Sequence, residues 1–137
     1  MIVVDTSVIL KLVVPEVRSD AAARLRGDVL AAPALWQAEI GNAFWRKIQT
    51  KEILERQAMP LLRSLFGGVI VTLAIDEDNV REALKLAVAL EHPIYDCFFL
   101  EAAIRGDTFV VTDDSRFGSA VRRQKKWAAH LQLLAEM

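Results

Sequence analysis

Ile2–Asp5 is the first of two short apolar runs in this sequence that end in an acidic residue, and Phe109–Thr112, followed directly by Asp113 and Asp114, is the second. Short runs rich in β-branched residues are typical of buried strands in parallel sheets. Functional residues of open parallel sheets lie at the carboxyl ends of the strands. We therefore expect both sets of acids to point into one region, although for either acid alone helix capping is the simpler explanation.

Strand-like and helical segments alternate along the rest of the chain, with no internal repeat and no linker. Such alternation predicts an α/β fold, a mainly parallel central sheet flanked by helices on both faces, with residues 1–137 as a single domain. The predicted strands are Ile2–Asp5, Val29–Ala32, Val69–Ile75 and Phe109–Thr112. The predicted helices are Ser7–Val14, Arg18–Arg26, Leu35–Gln49, Leu54–Phe66, Asp76–Leu90, Ile94–Ile104 and Asp114–Gln124, with Ala129–Leu134 as a closing strand or short helix.

Two of these helices carry finer expectations. Pro60 inside Leu54–Phe66 predicts a kink or a division into two pieces, because proline cannot donate the helical hydrogen bond. In Asp76–Leu90, Asp76 is a good N-cap. The expected buried side of that helix is marked by Val80, Ala83, Leu84, Ala87 and Val88.

Composition narrows the class of protein. The chain has 137 residues, of which 53% are hydrophobic and 26% charged, which favours a globular domain and excludes disorder. Its apolar runs are shorter than the roughly 20 residues of a membrane span, and its start lacks the basic segment of a signal peptide, so a cytoplasmic location is expected. The single cysteine, Cys97, excludes an intrachain disulfide and is expected to be a small buried residue. A net charge of −1 argues against strong nonspecific nucleic-acid binding, although it can hide a local basic patch.

Two further acids interrupt apolar helices. Glu39 is the only charged residue between Leu35 and Trp45, and Asp96 occupies the stripe that also carries Phe99, Leu100 and Ala103. Glu101 is offset from that stripe and is expected to be ordinary surface charge. Burial of a lone carboxylate costs several kcal/mol, so a structural ion pair is one explanation. No Lys or Arg lies on the same stripe as Asp96 or within one turn of Glu39, however. A divalent cation would relieve the repulsion among these acids, and oxygen ligands select Mg²⁺ or Mn²⁺.

In this order and spacing, the acids resemble the PIN domain family, and more closely its VapC toxins. The matching segments are Val3–Val8 with Lys11 and Pro15–Glu16, Ala38–Trp45, Tyr95–Ala103, and Val111–Phe117. The resemblance implies that Asp5, Glu39, Asp96 and Asp114 bind the metal and form the catalytic group. It implies that Thr6 or Ser7, and Thr112, orient the acids or the water. Asp114 is preferred over Asp113 because the family spacing is Thr-x-Asp, and Arg116 is a candidate for substrate phosphate.

The same resemblance implies an activity and partners. VapC toxins cleave RNA phosphodiesters with a metal-activated water, with Mg²⁺ or Mn²⁺ as the cofactor, and Asp96 or Asp114 are candidates for its deprotonation. They form homodimers, and a small VapB-like antitoxin inserts a segment into the acidic groove. Trp36, Phe44 and Trp45 are candidates for the surface that this antitoxin grips, with the core as the alternative for Trp36 and Phe44.

Other classes fit less well. A haloacid dehalogenase phosphatase needs a second Asp where Ser7 stands, and a phospho-receiver domain wants a Lys where acids follow Thr112. A catalytically silent PIN-like module that binds RNA or protein, and a DNA or structure-specific nuclease, both remain open. Transfer, ribosomal and messenger RNA are equally compatible substrates. His92 and His130 are taken to be isolated from the acids and without a catalytic role.

Overall fold

Five strands form one sheet: β1 (Ile2–Val4), β2 (Leu30–Pro33), β3 (Ile70–Leu73), β4 (Val110–Thr112) and β5 (Leu131–Leu133). In the computed structural model, which describes residues 1–137, their order is β3-β2-β1-β4-β5. Every neighbouring pair is parallel, and Val3 of the central strand is in register with Ala31 on one side and Val110 on the other. The predicted mainly parallel α/β fold is confirmed, and the sheet is parallel throughout.

Seven α-helices connect and cover these strands. They are α1 (Thr6–Lys11), α2 (Ser19–Ala23), α3 (Leu35–Gln49), α4 (Glu55–Leu65), α5 (Glu77–Leu90), α6 (Ile94–Arg105) and α7 (Ser115–Arg122). Single-turn 3₁₀ helices at Arg24–Gly27, Ala128–His130 and Leu134–Glu136 complete the chain. The closing segment, predicted as a strand or a short helix, contains both. No helix has the combined length and apolar character that a membrane crossing requires.

The direction in which successive strands are added to the sheet reverses between β1 and β4. The chain moves outward from β1 to β2 and β3, then returns across β1 to β4 and continues to β5. Since parallel crossovers are right-handed, this reversal places α1 to α4 on one face of the sheet and α5 to α7 on the other. Helix α6 packs against β1, β2 and β4 and is itself covered by α5, while α1 packs against α3. A crevice forms where the direction reverses, at the carboxyl ends of β1 and β4.

One continuous hydrophobic core lies on both sides of the sheet. Trp36 is fully buried, and its Nε1 donates a hydrogen bond to Oγ1 of Thr72 at 2.9 Å. Phe44 is also buried, whereas the side chain of Trp45 is exposed. Cys97 is buried as predicted, and burial raises the pKa of its thiol to about 12, with the negative charge of Asp96 adding to the shift. Trp36 and Phe44 are therefore core residues, and Trp45 is the one aromatic residue of the three that a partner can reach.

Helix α4 runs unbroken through Pro60, so the predicted division into two pieces is wrong. Proline removes the hydrogen bond that would otherwise reach the carbonyl of Arg56. Both residues are exposed in this helix, so water can satisfy that carbonyl. The proline therefore costs the helix one bond without ending it.

Helix α5 is rotated away from the predicted orientation. Val80, Leu84 and Val88, which were expected to be buried, are exposed, with Leu84 at 53% and Val88 at 72%. The buried residues are Asn79, Ala83, Leu86 and Leu90. Apolar residues occupy two adjacent stripes of this helix, and contact with α6 selects the stripe that includes Ala83 and Leu86. Helical periodicity alone does not distinguish these stripes.

Glu101 is buried rather than a surface charge, which corrects a second expectation. Its Oε1 accepts a hydrogen bond from Nε of Arg105 at 2.9 Å and another from Nδ2 of Asn79 at 3.3 Å. A carboxylate can leave water when donors replace its hydration. Arg105 on α6 and Asn79 on α5 supply these donors. The same hydrogen bond that satisfies Glu101 also satisfies the buried amide of Asn79.

Candidate active site

Asp5 follows β1 directly and caps the first helix. Its Oδ1 accepts hydrogen bonds from the Ser7 hydroxyl at 2.5 Å and from the backbone nitrogen of Val8 at 3.2 Å, and its Oδ2 accepts one from the Thr112 hydroxyl. Thr112 is the last residue of β4, so this contact joins the two central strands at their carboxyl ends. The side chain is thus held by three donors at the point where the chain reverses.

Burial dominates the ionisation of Asp5. It raises the pKa of this carboxyl from 3.8 to about 7, although the hydrogen bonds from Ser7, Thr112 and Val8 act in the opposite direction. The negative charge of Asp96 raises the pKa further. A group with this pKa gains strongly from a nearby cation, because the cation favours its charged form.

Glu39 belongs to the same region but comes from α3. Its Oε1 accepts a hydrogen bond from the Thr6 hydroxyl at 2.8 Å, which ties α3 to the start of α1. Burial raises the pKa of Glu39, and the charge of Asp96 adds to the shift. The Glu39 carboxylate therefore has the same unfavourable electrostatic setting as that of Asp5.

Asp96 lies in the first turn of α6 and contacts a histidine. Its Oδ2 is 2.7 Å from Nε2 of His92, so the expectation that both histidines are isolated from the acids is wrong for His92. His130 instead contacts the carbonyl oxygen of Thr108. The spacing of four residues between His92 and Asp96 was visible in the sequence, but Pro93 between them obscured the contact because it separates two helices.

The two adjacent acids after β4 have different environments. Oδ1 of Asp114 accepts hydrogen bonds from the backbone nitrogens of Arg116 and Phe117, and so caps α7. Asp113 turns away toward Arg18, whose Nε is 2.5 Å from Oδ1, and Lys11, whose Nζ is 3.3 Å from Oδ2. Burial opposes ionisation of Asp113, but these two cations outweigh it and lower its pKa. Asp113 is therefore already neutralised by the protein, whereas Asp114 has no ion pair.

A single open cavity of about 660 Å³ brings the candidate acids together. Asp5, Glu39, Asp96 and Asp114 all line it, and Asp113 does not. Thr6 and Ser7 line it as well, whereas the buried Thr112 acts from behind Asp5. No three Asp, Glu, His or Cys side chains stand close enough together to form a ready-made metal cage.

The arginine that lines the cavity is not the one expected from the sequence. Arg116, the candidate for a phosphate contact, is exposed and does not line the cavity. Arg46 lines the cavity instead, and it forms no ion pair within the protein. It stands seven residues after Glu39 on α3, so helical spacing places both side chains on one face. Asn42 lies between them, and Lys11, Glu16 and Tyr95 complete the polar lining.

Glu16, which lines one side of this cavity, is held in a network of charges with Lys11 and Lys47. Oε1 of Glu16 accepts from Lys11 at 3.1 Å, and its Oε2 contacts Lys47 at 2.7 Å. Burial opposes ionisation of Glu16, but Lys47 and Lys11 outweigh it and lower its pKa. Lysine side chains therefore already neutralise this acid, unlike the other four carboxylates that line the cavity.

The protein is thus an α/β fold with an acidic cavity at the switch point of the sheet, the place between β1 and β4 where the strand order reverses. The PIN domain family model matches residues 2–122, and the chain belongs to the PIN domain family. No curated protein matches the chain in sequence.

Solved structures share this fold at low sequence identity. PAE2754 from Pyrobaculum aerophilum is 21% identical with a TM-score of 0.72, over 98% of this chain and 84% of that one. A toxin-antitoxin complex from Klebsiella pneumoniae is 14% identical with a TM-score of 0.61, over 84% of this chain and 88% of that one. VapBC2 from Rickettsia felis, bound to a DNA fragment from its promoter, is 13% identical with a TM-score of 0.64, over 97% of this chain and 98% of that one.

Proposed function

We propose that this protein is a metal-dependent endoribonuclease of the VapC type, the toxin of a toxin–antitoxin pair. The observation that carries the proposal is the single cavity lined by Asp5, Glu39, Asp96 and Asp114. These carboxylates come from four separate parts of the chain and meet at the switch point of a PIN domain, a family whose members are generally nucleases.

The donor set fits a hard divalent cation. All four side chains offer only oxygen, which suits Mg²⁺ or Mn²⁺ rather than softer metals. Magnesium usually keeps several waters and takes only one or two protein carboxylates, which is consistent with the absence of a ready-made cage. When bound, such an ion supplies electrostatic stabilisation of the scissile phosphate and activates a water.

The chain's own residues prepare the cavity for that ion. Ser7 and Thr112 hold Asp5, Thr6 holds Glu39, and the backbone at the start of α7 holds one oxygen of Asp114. These bonds fix the carboxylates before substrate arrives, which reduces the reorganisation that the reaction requires. Asp96 and Asp114 are both candidates for the group that accepts the proton of the attacking water.

Arg46 is the side chain best suited to contact the substrate. It lines the cavity and has no carboxylate partner, whereas Lys11 is held by Glu16 and Asp113. A guanidinium can bind a phosphate with two parallel hydrogen bonds. We therefore assign to Arg46 the phosphate contact for which Arg116 was the candidate.

Two of the structural neighbours support a protein partner. One is a toxin-antitoxin complex and another is VapBC2. We propose that a VapB-like antitoxin inserts a segment into the acidic cavity, where a basic side chain would pair with the carboxylates. Trp45 is exposed and adjoins a second groove lined by Ile48, Met59 and Leu62, so it is the aromatic residue we expect this partner to contact.

Homodimer formation remains a prediction that light scattering of the purified protein would test.

The decisive experiment is cleavage of labelled structured RNAs by the partner-free protein in Mn²⁺, Mg²⁺ or EDTA. We expect cleavage with either metal and none in EDTA. Asp96→Asn and Asp114→Asn should abolish it, because each removes a charge from the cavity while preserving side-chain size. Asp113→Asn is the matched control, since Asp113 lies one residue from Asp114, does not line the cavity and is already paired with Arg18 and Lys11.

The outcomes separate the competing functions. Cleavage that persists in EDTA or in Asp96→Asn would contradict the proposal. Cleavage of matched DNA but not RNA oligonucleotides would identify a DNA nuclease. A folded protein that binds RNA and cleaves neither nucleic acid would identify a silent binding module.

A further inference from the structure

His92 contacts one oxygen of Asp96 and leaves the other free. Nε2 of His92 is 2.7 Å from Oδ2 of Asp96, and Oδ1 of Asp96 has no hydrogen-bond partner within the protein. The histidine side chain is only 8% exposed, whereas that of Asp96 is 31% exposed. The contact therefore lies on the protein side of the carboxylate, and the carboxylate itself reaches the cavity.

The imidazole ring is held in a defined position. Glu91 ends α5 in a left-handed conformation with φ of 51°, and the backbone nitrogen of His92 then bonds to the carbonyl of Ala87 at 3.1 Å. Pro93 restricts the backbone of the residue before it. The ring also packs against Phe117 of α7, with 5.0 Å between the ring centroids. The end of α5, Pro93 before α6 and Phe117 of α7 thus together determine where Nε2 points.

The direction of the hydrogen bond follows from the chemistry of the two groups. Because an ionised carboxylate only accepts hydrogen bonds, this contact requires the tautomer of His92 in which Nε2 carries a hydrogen and donates the hydrogen bond to Oδ2. A donor of this kind fixes the rotation of the carboxylate and the position of its second oxygen. Partners that orient metal-binding side chains in this way usually contribute to metal affinity.

We propose that His92 is a positioning residue that holds Asp96 with Oδ1 available to a divalent cation in the cavity. This inference rests on the proposed metal-dependent function. The competing explanation is that the bond only fastens the turn between α5 and α6. A bond with that role would change the stability of the fold, but it would leave the cation affinity of the folded protein unchanged.

The experiment measures Mn²⁺ binding by calorimetry in the full chain without substrate. His92→Leu removes the donor, and His92→Gln places an amide N–H at a similar reach. We expect His92→Leu to bind Mn²⁺ about 10- to 100-fold more weakly than the unmodified protein. His92→Gln should recover most of that loss. His130→Leu is the matched control, because His130 makes a contact of the same 2.7 Å length with the carbonyl of Thr108, and it should leave the affinity unchanged.

Thermal unfolding in EDTA establishes that each variant is folded. A folded His92→Leu with unaltered Mn²⁺ affinity would overturn the inference while leaving the proposed function intact. So would a His92→Gln that binds as weakly as His92→Leu. If His92→Leu does not fold, His92→Asn replaces it, because its shorter amide cannot reach Asp96, and equal affinities of His92→Asn and His92→Gln would overturn the inference. Failure of the unmodified protein to bind Mn²⁺ would overturn both the metal-dependent function and the role of His92.

Discussion

Asp5 illustrates how burial and hydrogen bonding compete at a single residue. Three donors stabilise its charged form, and three charge-assisted bonds would ordinarily lower a carboxyl pKa. Desolvation outweighs them and leaves the pKa at about 7. A carboxyl with this pKa is only partly ionised at neutral pH.

This raised pKa predicts a pH dependence of the metal-free protein. Because the folded-state pKa of Asp5 lies above its ordinary value of 3.8, its contribution to the free energy of unfolding is fully present below about pH 4 and is lost as the pH rises through about 7. Asp5→Asn stays neutral and should lack this loss. Urea denaturation in EDTA should therefore show the unmodified protein losing stability relative to Asp5→Asn between about pH 4 and about pH 7, by no more than about 1.4 kcal/mol per pH unit.

Glu39 has a pKa raised in the same direction, but it is present in both proteins and cancels in the comparison. Parallel pH curves for the unmodified protein and Asp5→Asn would contradict the assignment of a raised pKa to Asp5.

Helix α5 shows what is decided at the scale of an element. Its sequence carries apolar residues on two neighbouring stripes, and α6 can cover only one of them. The covered stripe includes Ala83, Leu86 and Leu90, and it brings Asn79 into contact with Glu101 on α6. The hydrogen bond between Asn79 and Glu101 and the small Ala83 at the contact both favour this rotation over the alternative.

The rotation predicts opposite outcomes for two leucines in the same helix. Leu86→Ala should lower the free energy of unfolding by about 2–5 kcal/mol, because it removes a buried side chain and leaves a cavity. Leu84→Ala should change it by no more than about 0.5 kcal/mol, because Leu84 is mostly exposed in the monomer. Urea denaturation of both variants at low protein concentration tests this.

The two leucines differ only in position, so each is the control for the other. A large loss of stability in Leu84→Ala and a small one in Leu86→Ala would show that α5 packs through the stripe expected from the sequence.

At the scale of the whole molecule, the topology of the sheet concentrates negative charge. The reversal between β1 and β4 brings together acids that follow β1, lie within α3 and α6, and precede α7. Their mutual repulsion is a cost of the folded state, because the unfolded chain keeps these charges apart. A cation that binds only the folded protein offsets this cost and stabilises the entire fold.

Metal binding should therefore raise the melting temperature. At a free Mn²⁺ concentration of 100 times Kd, the expected gain in the free energy of unfolding is about 2.7 kcal/mol. Scanning calorimetry with Mn²⁺, and again after EDTA, measures the shift and its reversal. The double substitution Asp5→Asn with Asp96→Asn should remove the shift, whereas Asp113→Asn should retain it. An equal shift in all three proteins would indicate that Mn²⁺ binds elsewhere.

Local signals in the sequence determined much of this protein. The apolar runs before Asp5 and Asp113 predicted the two central strands, and the helix Leu35–Gln49 was predicted with its observed ends. Asp76 was identified as an N-cap, and its side chain accepts from the backbone nitrogen of Asn79. These features depend on residues a few positions apart, which is why periodicity and capping preferences were sufficient. Asp5, Glu39 and Asp96 were also selected from the sequence, because each stands at a strand end or interrupts an apolar helix, whereas Asp114 was preferred over Asp113 only through the resemblance to the PIN domain family.

Only the tertiary structure decided the features that depend on distant partners. Arg18 neutralises Asp113 from 95 residues away, and that pairing leaves Asp114 as the acid that lines the cavity. The rotation of α5, the burial of Glu101 and the placement of Arg46 beside the acids depend in the same way on which surfaces meet. Such contacts are set by the packing of whole elements around the core, whose energy is shared among many residues and leaves no local pattern in the chain.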